Sequence, residues 1–288
     1  MSQRRVSNNQ ARLFVVATPI GHRDDLSLRA IEVLTQVDLI AAEDTRHSRR
    51  LLQYHGINTP MRALHEHNER QILGQIIDQL LEGKSVALIS DAGTPLISDP
   101  GFPLVRACRR QGIKVAPVPG PSAVLAALSV SGLPADSFCF HGFLARTSEA
   151  RKKQLETILA AQQTQIFYES AHRIAYSLRD MFEVLGGARE VVVARELTKR
   201  HEQIRCRTLG EWMEKLEAGE LCLKGEFVVL IAPARAAEAS EVPAEAGRVL
   251  SLLLEELPLK KAAALASAIT GVGKNALYRM GLTVSLDR

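Results

Sequence analysis

Three stretches of the chain combine glycine and proline with groups able to read a polar ligand: ATPIGHRDD (Ala17 to Asp25), SDAGTPLISDPG (Ser90 to Gly101) and PGPSA (Pro119 to Ala123). Small residues let a ligand approach the main chain, and free N–H and C=O groups can then read it. The second stretch spends twelve residues where a strand-to-helix turn needs only about two to six. The polar groups are mainly Asp, Ser, Thr and main chain rather than a basic phosphate anchor. That chemistry suits a neutral or zwitterionic ligand with amino-acid and ribose groups. One such loop reads as an ordinary tight turn, whereas three at matching strand ends point to a shared ligand.

Other chemistries fail on spacing. No G-x-G-x-x-G follows the first apolar run. In AITGVGKN, Ala268 stands where the first P-loop glycine belongs and Asn275 replaces Ser or Thr. No H-E-x-x-H, C-x-x-C or G-x-S-x-G occurs, and His65 to His67 (HEH) reads as a polar loop before a helix, so no metal is expected.

The elements that must position these loops follow from apolar periodicity. Leu13 to Ala17, Leu39 to Ala42, Ser85 to Ile89 and Ile113 to Val118 are short apolar runs without polar alternation. They are separated by helical patterns such as Leu28, Ile31 and Leu34 after the N-cap candidate Ser27, and Glu69 to Glu82. Strands of this kind, interleaved with helices, imply a parallel sheet covered on both faces. Ligands of open α/β sheets lie outside the carboxyl ends of the strands, where the three loops fall. Beyond the seam at Pro117 to Pro121, a small-residue helix (Ser122 to Ser131) precedes strands at Gln165 to Tyr168, Glu190 to Ala194 and Glu226 to Ile231. Their stronger period of two predicts a mixed sheet with antiparallel pairs.

The expected organisation is therefore an α/β domain over 1–118, a second over 119–232, a linker over 233–246 rich in Ala, Glu and Pro, and a small helical domain over 247–288. In the last, Leu250, Leu253, Leu254 and Leu257 share a face, and LKKAAALASAITGVGKNALYRMGL reads helix, glycine turn, helix.

A chain of 288 residues with 46% apolar content supports such a core, and no apolar run is long enough to span a bilayer. The first ten residues lack the apolar segment of a secretory signal. Cys108, Cys139, Cys206 and Cys222 are scattered and read as buried reduced thiols of a cytoplasmic protein. Net charge is only +4, but basic residues cluster at Arg46, Arg49 and Arg50, at Arg146, Arg151, Lys152 and Lys153, and over Arg195 to Arg207. Such clusters either line a polyanion track or are solvated helix faces.

Together, VATPIGHRDDLSLRAIEVLTQVDLIAAEDTR, SDAGTPLISDPG, VPGPSA, FYESAHRI and RELTK resemble the tetrapyrrole methylase superfamily, and within it the ribosomal RNA branch. The similarity runs from about Arg12 to Ala232 and on into the helical tail. It implies S-adenosyl-L-methionine bound in a cleft between two α/β domains, a homodimer, and 2′-O-methylation of a cytidine ribose in the decoding region of 16S ribosomal RNA. The substrate would be that RNA or an assembled small subunit.

Carried over residue by residue, the resemblance assigns Pro19, and then Asp91, Ala92, Gly93, Thr94, Pro95 and Ile97, to the cofactor. It adds Pro119, Gly120, Ser122 and Ala123, then Phe167, Tyr168, Phe227 and Val228 where the second domain closes. TPIG replaces the glycine-proline-glycine of the porphyrinoid enzymes, which fits a different substrate. A ribose hydroxyl is a poor nucleophile until its proton is lost, so a base or a positive charge is expected nearby. Candidates are Glu43, Asp44 and Arg46, Glu169 and Ser170, and Arg195, Glu196 and Lys199. Of these, Glu169, Asp44, Glu196 and Lys199 form the expected catalytic set, although Asp44 also reads as a helix cap and Glu196 as a partner of Arg195 or Lys199. RNA contacts are expected from Arg46, Arg49, Arg50, Arg146, Arg151, Lys152 and Lys153, extended by Lys260, Lys261, Lys274 and Arg279 of the tail. The tail equally reads as packing on the body or on a dimer partner. The competing functions are C-methylation of a tetrapyrrole, and a non-enzymatic nucleic-acid-binding protein that senses the methyl donor.

Overall fold

The computed structural model describes residues 11–65, 67–234, 243–274, 276–278 and 280–281. The N-terminal ten residues, most of the expected linker and Arg279 lie outside them. Two compact units result. One comprises the chain up to Glu156 together with Thr164–Ala232, and the other Thr157–Gln163 together with the chain from Pro233.

The first unit contains two sheets. Strands β1 (Arg12–Val16), β2 (Leu39–Ala42), β3 (Met61–Ala63), β4 (Val86–Ile89) and β5 (Lys114–Val118) are all parallel, in the order β3-β2-β4-β1-β5. All four residues of β4 are buried, because helices cover both faces. Helices α1 (Leu28–Gln36) and α2 (Thr45–Tyr54) contribute Ala30, Leu34 and Leu52 to one face, against Val16, Ile40 and Ile89. Helices α3 (Glu69–Leu81) and α4 (Phe102–Arg110) contribute Ile72, Ile76, Leu80, Leu104 and Cys108 to the other, against Leu13, Leu64 and Leu88. As expected, Ser27 caps α1, accepting a hydrogen bond from the Ala30 amide.

This order creates a switch point. β1 leads into α1 on one face, while its neighbour β4 leads into α4 on the opposite face. The two connections diverge at the carboxyl end of the sheet and leave a crevice there. Gly101, where the β4 loop turns into α4, has φ 120°, and a Cβ at that position would stand 2.6 Å from Leu88 Cδ2.

The second sheet follows α5 (Ala123–Ser131). Its strands are β6 (Phe138–Phe143), β7 (Thr164–Ser170), β8 (Glu190–Arg195), β9 (Gln203–Thr208) and β10 (Glu226–Ile231), in the order β6-β7-β10-β8-β9. β6 and β7 are parallel and the remaining pairs antiparallel, so the sheet is mixed as the period-two pattern predicted. Val124, Ala127 and Leu128 of α5 pack on Ile166, Val192, Ala194, Val228 and Leu230. Helices α6 (Ser148–Glu156), α7 (Ile174–Leu185) and α8 (Leu209–Glu217) complete the unit, and α8 begins with a Thr208–Glu211 capping box.

In the second unit, α9 (Ala244–Glu256) and α10 (Leu259–Thr270) share a small core of Ala246, Leu250, Ala262, Ala263, Ala266 and Leu277. α10 stops at Gly271, whose φ of 73° supplies the expected glycine turn. No described helix is long and apolar enough to cross a membrane. None of the four cysteines is in a disulfide, and only Cys108 is buried. Cys206 is exposed because β9 is an edge strand, and Cys222 lies exposed in the loop before β10.

Replacing Gly101 with Ala is expected to destabilise the first unit by about 2 kcal/mol, since it combines left-handed strain with a clash on Leu88. Urea unfolding monitored at the single tryptophan would measure this.

Candidate active site

The three glycine- and proline-rich loops leave β4, β1 and β5, which are immediate neighbours in the sheet. They are stitched together. Thr18 and Gly93 exchange two main-chain hydrogen bonds, N–H to O at 2.8 and 3.1 Å, and the Thr18 hydroxyl donates to the Ser90 carbonyl at 3.1 Å. The Thr94 hydroxyl donates to the Pro121 carbonyl at 3.0 Å, which ties in the third loop. At the neighbouring strand end, the Asp91 amide donates to Glu43 (3.2 Å) and the Asp44 amide to Asp91 (3.1 Å).

Above these loops lies a cavity of about 500 Å³. From the first sheet it takes Ile20, Glu43, Asp91 to Thr94 and Ile97 to Asp99. Ser122 and Ala123 at the start of α5 continue the wall, and Phe143, Tyr168 to His172, Ala194, Leu197 and Gly225 to Val228 close it from the second sheet. The loops on both sides hold unusual backbone. Leu96 and Ser98 (φ 73° and 70°) belong to one, Glu196 and Thr198 (φ 52° and 61°) to the other. Left-handed backbone at non-glycine residues costs about 1–3 kcal/mol each and gathers at functional sites.

Ten of the residues expected at the cofactor line this cavity: Asp91, Ala92, Gly93, Thr94, Ile97, Ser122, Ala123, Tyr168, Phe227 and Val228. Pro19, Pro95, Pro119, Gly120 and Phe167 do not. Gly120 serves the close approach of two loops, since a Cβ there would sit 3.1 Å from the Ala17 Cβ. Phe167 is fully buried and stacks on His141 at 4.7 Å, because alternate residues of β7 face opposite sides.

The expected catalytic set is largely committed to structure. Asp44 caps α2, accepting from the Arg46 amide at 2.8 Å, and pairs with the Arg46 guanidinium. That side-chain hydrogen bond is the main influence holding its carboxyl below the usual range. Glu169 is a cavity residue, yet its side chain is buried and accepts from the Ser177 hydroxyl (2.6 Å) and the Ser170 amide (2.8 Å), with Arg173 beside it. These contacts aim it at α7, so it is a poor proton acceptor for a cavity ligand. Glu196 accepts from the Glu226 amide and from Lys199, and Lys199 bridges Glu196 and Glu226 at 3.1 and 2.9 Å. Burial works to raise the Glu196 carboxyl, but these bonds and the nearby Arg195 hold it low. Burial likewise opposes the Lys199 charge, and its two carboxylates more than offset that. These two side chains lock the loop over Gly225 rather than facing the cavity.

Among the expected RNA contacts, Arg46, Arg49, Arg50, Arg146, Lys260 and Lys261 are exposed. Lys152 and Lys153 pair with Glu183 and Glu149. Arg151 is only 4% exposed; it holds Asp180 at 2.6 Å and donates to the Ala145 carbonyl, so it offers RNA no free face.

Asp99, within the long loop, has no role among the expected site residues. It lines the cavity. Burial first, then the charges of Glu43 and Asp91, push its carboxyl up to about 6, against a hydrogen bond from Ser90. Burial and Asp99 in turn push the Tyr168 phenol up to about 12. The signal that could have found Asp99 is the third acid on the same sheet end, but only the strand order brings the three together.

The family profile Tetrapyrrole (Corrin/Porphyrin) Methylases matches residues 12–212, and a second, RsmI C-terminal HTH domain, matches 240–285. The chain is 53% identical over 277 residues to the ribosomal RNA small subunit methyltransferase I of Vibrio cholerae, covering 96% of each chain. It is 56% identical over 271 residues to that of Pseudomonas aeruginosa, covering 94% of this chain and 96% of the other. Among solved structures, uroporphyrin-III C-methyl transferase from Thermus thermophilus complexed with S-adenyl homocysteine shares the fold. Its TM-score is 0.55 at 16% identity, over 77% of this chain and 97% of that one.

An acid with a raised folded pKa weakens the fold once it ionises. The Asp99 contribution is therefore complete below about pH 4, the ordinary aspartate range, and is lost as pH rises through about 6. Asp99→Asn should stabilise the protein at pH 7.5 by on the order of 1 kcal/mol, allowing for solvent screening of a half-buried group, and should have little effect at pH 4. Paired denaturant curves at the two pH values check this.

Proposed function

The chain belongs to the tetrapyrrole methylase family and to its ribosomal RNA small subunit methyltransferase I group, and from this we propose that it methylates small-subunit ribosomal RNA with S-adenosyl-L-methionine as donor. The acceptor is the ribose 2′-hydroxyl of a cytidine in the decoding region of 16S ribosomal RNA, free or in the assembled subunit. The protein acts in the cytoplasm as a homodimer. One observation carries the reading: three loops from adjacent strands meet in one cavity, in a chain more than half identical over nearly its full length to enzymes of that name.

The residues present fit the donor. A cavity of about 500 Å³ lies within the usual range of about 300–1,000 Å³ for small-molecule sites. Glu43 and Asp91 give one wall negative potential, which complements a ligand carrying ammonium and sulfonium charges. Ala123, Leu197 and Val228 give an apolar bed for a nucleobase, while Gly93, with φ 82°, brings main chain to the surface. Asp91, Gly93, Thr94 and Ile97 would hold the methionine and ribose portions, and Ser122, Ala123, Tyr168 and Val228 the adenine. When bound, the donor supplies a methyl group already activated for in-line displacement. The protein then has to align the hydroxyl, exclude water and accept one proton.

The exposed arginines of α2 follow directly from the Glu43–Asp44 strand end and would hold RNA phosphates beside the cavity. The helical second unit, with Lys260 and Lys261 exposed, would extend that grip. The two other readings are weaker. A tetrapyrrole substrate rests on structures under 25% identical, which share the fold alone. A donor-sensing protein without activity leaves the names of the full-length relatives unexplained.

Labelled methyl donor incubated with small subunits lacking this modification should mark one cytidine ribose, mapped by its resistance to alkaline cleavage. No transfer to ribose refutes the reading. Ala123→Leu, which places a larger side chain in the cavity wall, should weaken donor binding by at least about tenfold in calorimetry, or about 1.4 kcal/mol. Removal of residues 247–288 should lower RNA affinity and flatten its salt dependence while leaving donor affinity intact.

A further inference from the structure

We propose that Asp99 is a catalytic residue, the group that takes the proton from the acceptor hydroxyl. This deepens the reading above and rests on it.

The argument begins with elimination among the carboxylates around the cavity. Glu169 is turned toward Ser177 and Arg173. Glu226 is paired with Lys199. Glu43 and Asp91 accept main-chain N–H groups and so join the ends of β2 and β4. Asp99 lines the cavity and takes part in none of the ion pairs among the described residues. The Ser90 side chain, whose hydroxyl lies 3.4 and 3.5 Å from the Ala92 and Gly93 carbonyls, is the group beside it that lowers its proton affinity.

The loop that carries it is built to aim it. Ser98, just before it, is left-handed at φ 70°, and Gly101, just after, lies at φ 120° against Leu88. Pro100 stiffens the span between them. A Cβ on Gly142 would approach Ser98 Oγ at 3.2 Å, so β6 also backs this segment. A chain that accepts this much unfavourable backbone is holding the side chain in place.

The surroundings tune the group. The charges of Glu43 at the end of β2 and Asp91 of its own loop act on it, it acts in turn on Tyr168 of β7, and His172 lines the same cavity. Burial and two like charges raise its proton affinity to about 6, close to the optimum for a base working near neutrality. In the step itself, the hydroxyl oxygen bonds to the methyl carbon as the carbon–sulfur bond breaks. The bonding pair stays with sulfur, the proton passes to the Asp99 carboxylate, and solvent then removes it.

Asp99→Asn keeps shape and removes the basic oxygen. Single-turnover methylation of small subunits by the variant should fall by at least about a hundredfold, with donor affinity held within about twofold by calorimetry. The parent's rate should rise with pH through an apparent pKa near 6, and the variant should lose that limb. Independently of activity, carbon-13 spectra of aspartate-labelled, donor-free protein should contain one carboxyl titrating near 6 that vanishes in the variant. A variant as fast as the parent, a parent without the acidic limb, or a loss explained wholly by donor affinity overturns the proposal. A parent that transfers no methyl to ribose refutes the function and this role together, whereas an active parent with an equally active variant refutes the role alone.

Discussion

The paired hydrogen bonds between Thr18 and Gly93 hold the site together. They join the loops of β1 and β4 at the point where the chain departs toward opposite faces of the sheet, so they close the floor of a crevice that topology would leave open. The rest is arranged from that floor. Thr94 draws in the start of α5, Ile20 packs with the core of the second sheet, and the three acids take up positions along one wall. With the Thr18 hydroxyl on the Ser90 carbonyl, this pair ties two of the three loops to each other and gives the cavity its floor.

Much of this was legible in the residues. The parallel sheet follows from apolar runs without polar alternation, and the mixed second sheet from its period of two. The Ser27 and Asp44 caps are as the side chains suggest. The three loops declared themselves by composition. Other elements were hidden for physical reasons. β9 (QIRCRT) is an edge strand with little apolar character, and β6 carries a register shift and Gly142, so neither resembles an ordinary core strand. Helix α6 is strongly polar on its surface, and its one buried arginine looks like any other in a basic cluster until Asp180 is placed against it.

Side-chain direction was the harder matter. Alternation along β7 sends Tyr168 to the cavity and Phe167 away from it, and a stretch of sequence cannot say which of two neighbours points where without its sheet partners. Glu169, Glu196 and Lys199 were plausible chemically because they are polar groups near strand ends, and they are indeed near the site. Their hydrogen bonds, set by residues distant in sequence, turn them into braces. Asp99 presents the reverse case. It lies in a loop that was noticed for its glycines and prolines, and its chemistry arises from two other acids that only the strand order brings near.

Gly21 illustrates what such a tightly joined site entails. A Cβ there would strike Thr198, Lys199 and the Leu197 carbonyl, so the loop after β1 and the loop after β8 are pressed together without room for even a methyl group. The rim thus behaves as a single mechanical part assembled from two remote portions of the gene. Lengthening or reshaping one portion obliges the other to change in step, so new acceptor preferences in this lineage would arise through matched pairs of alterations rather than solitary ones.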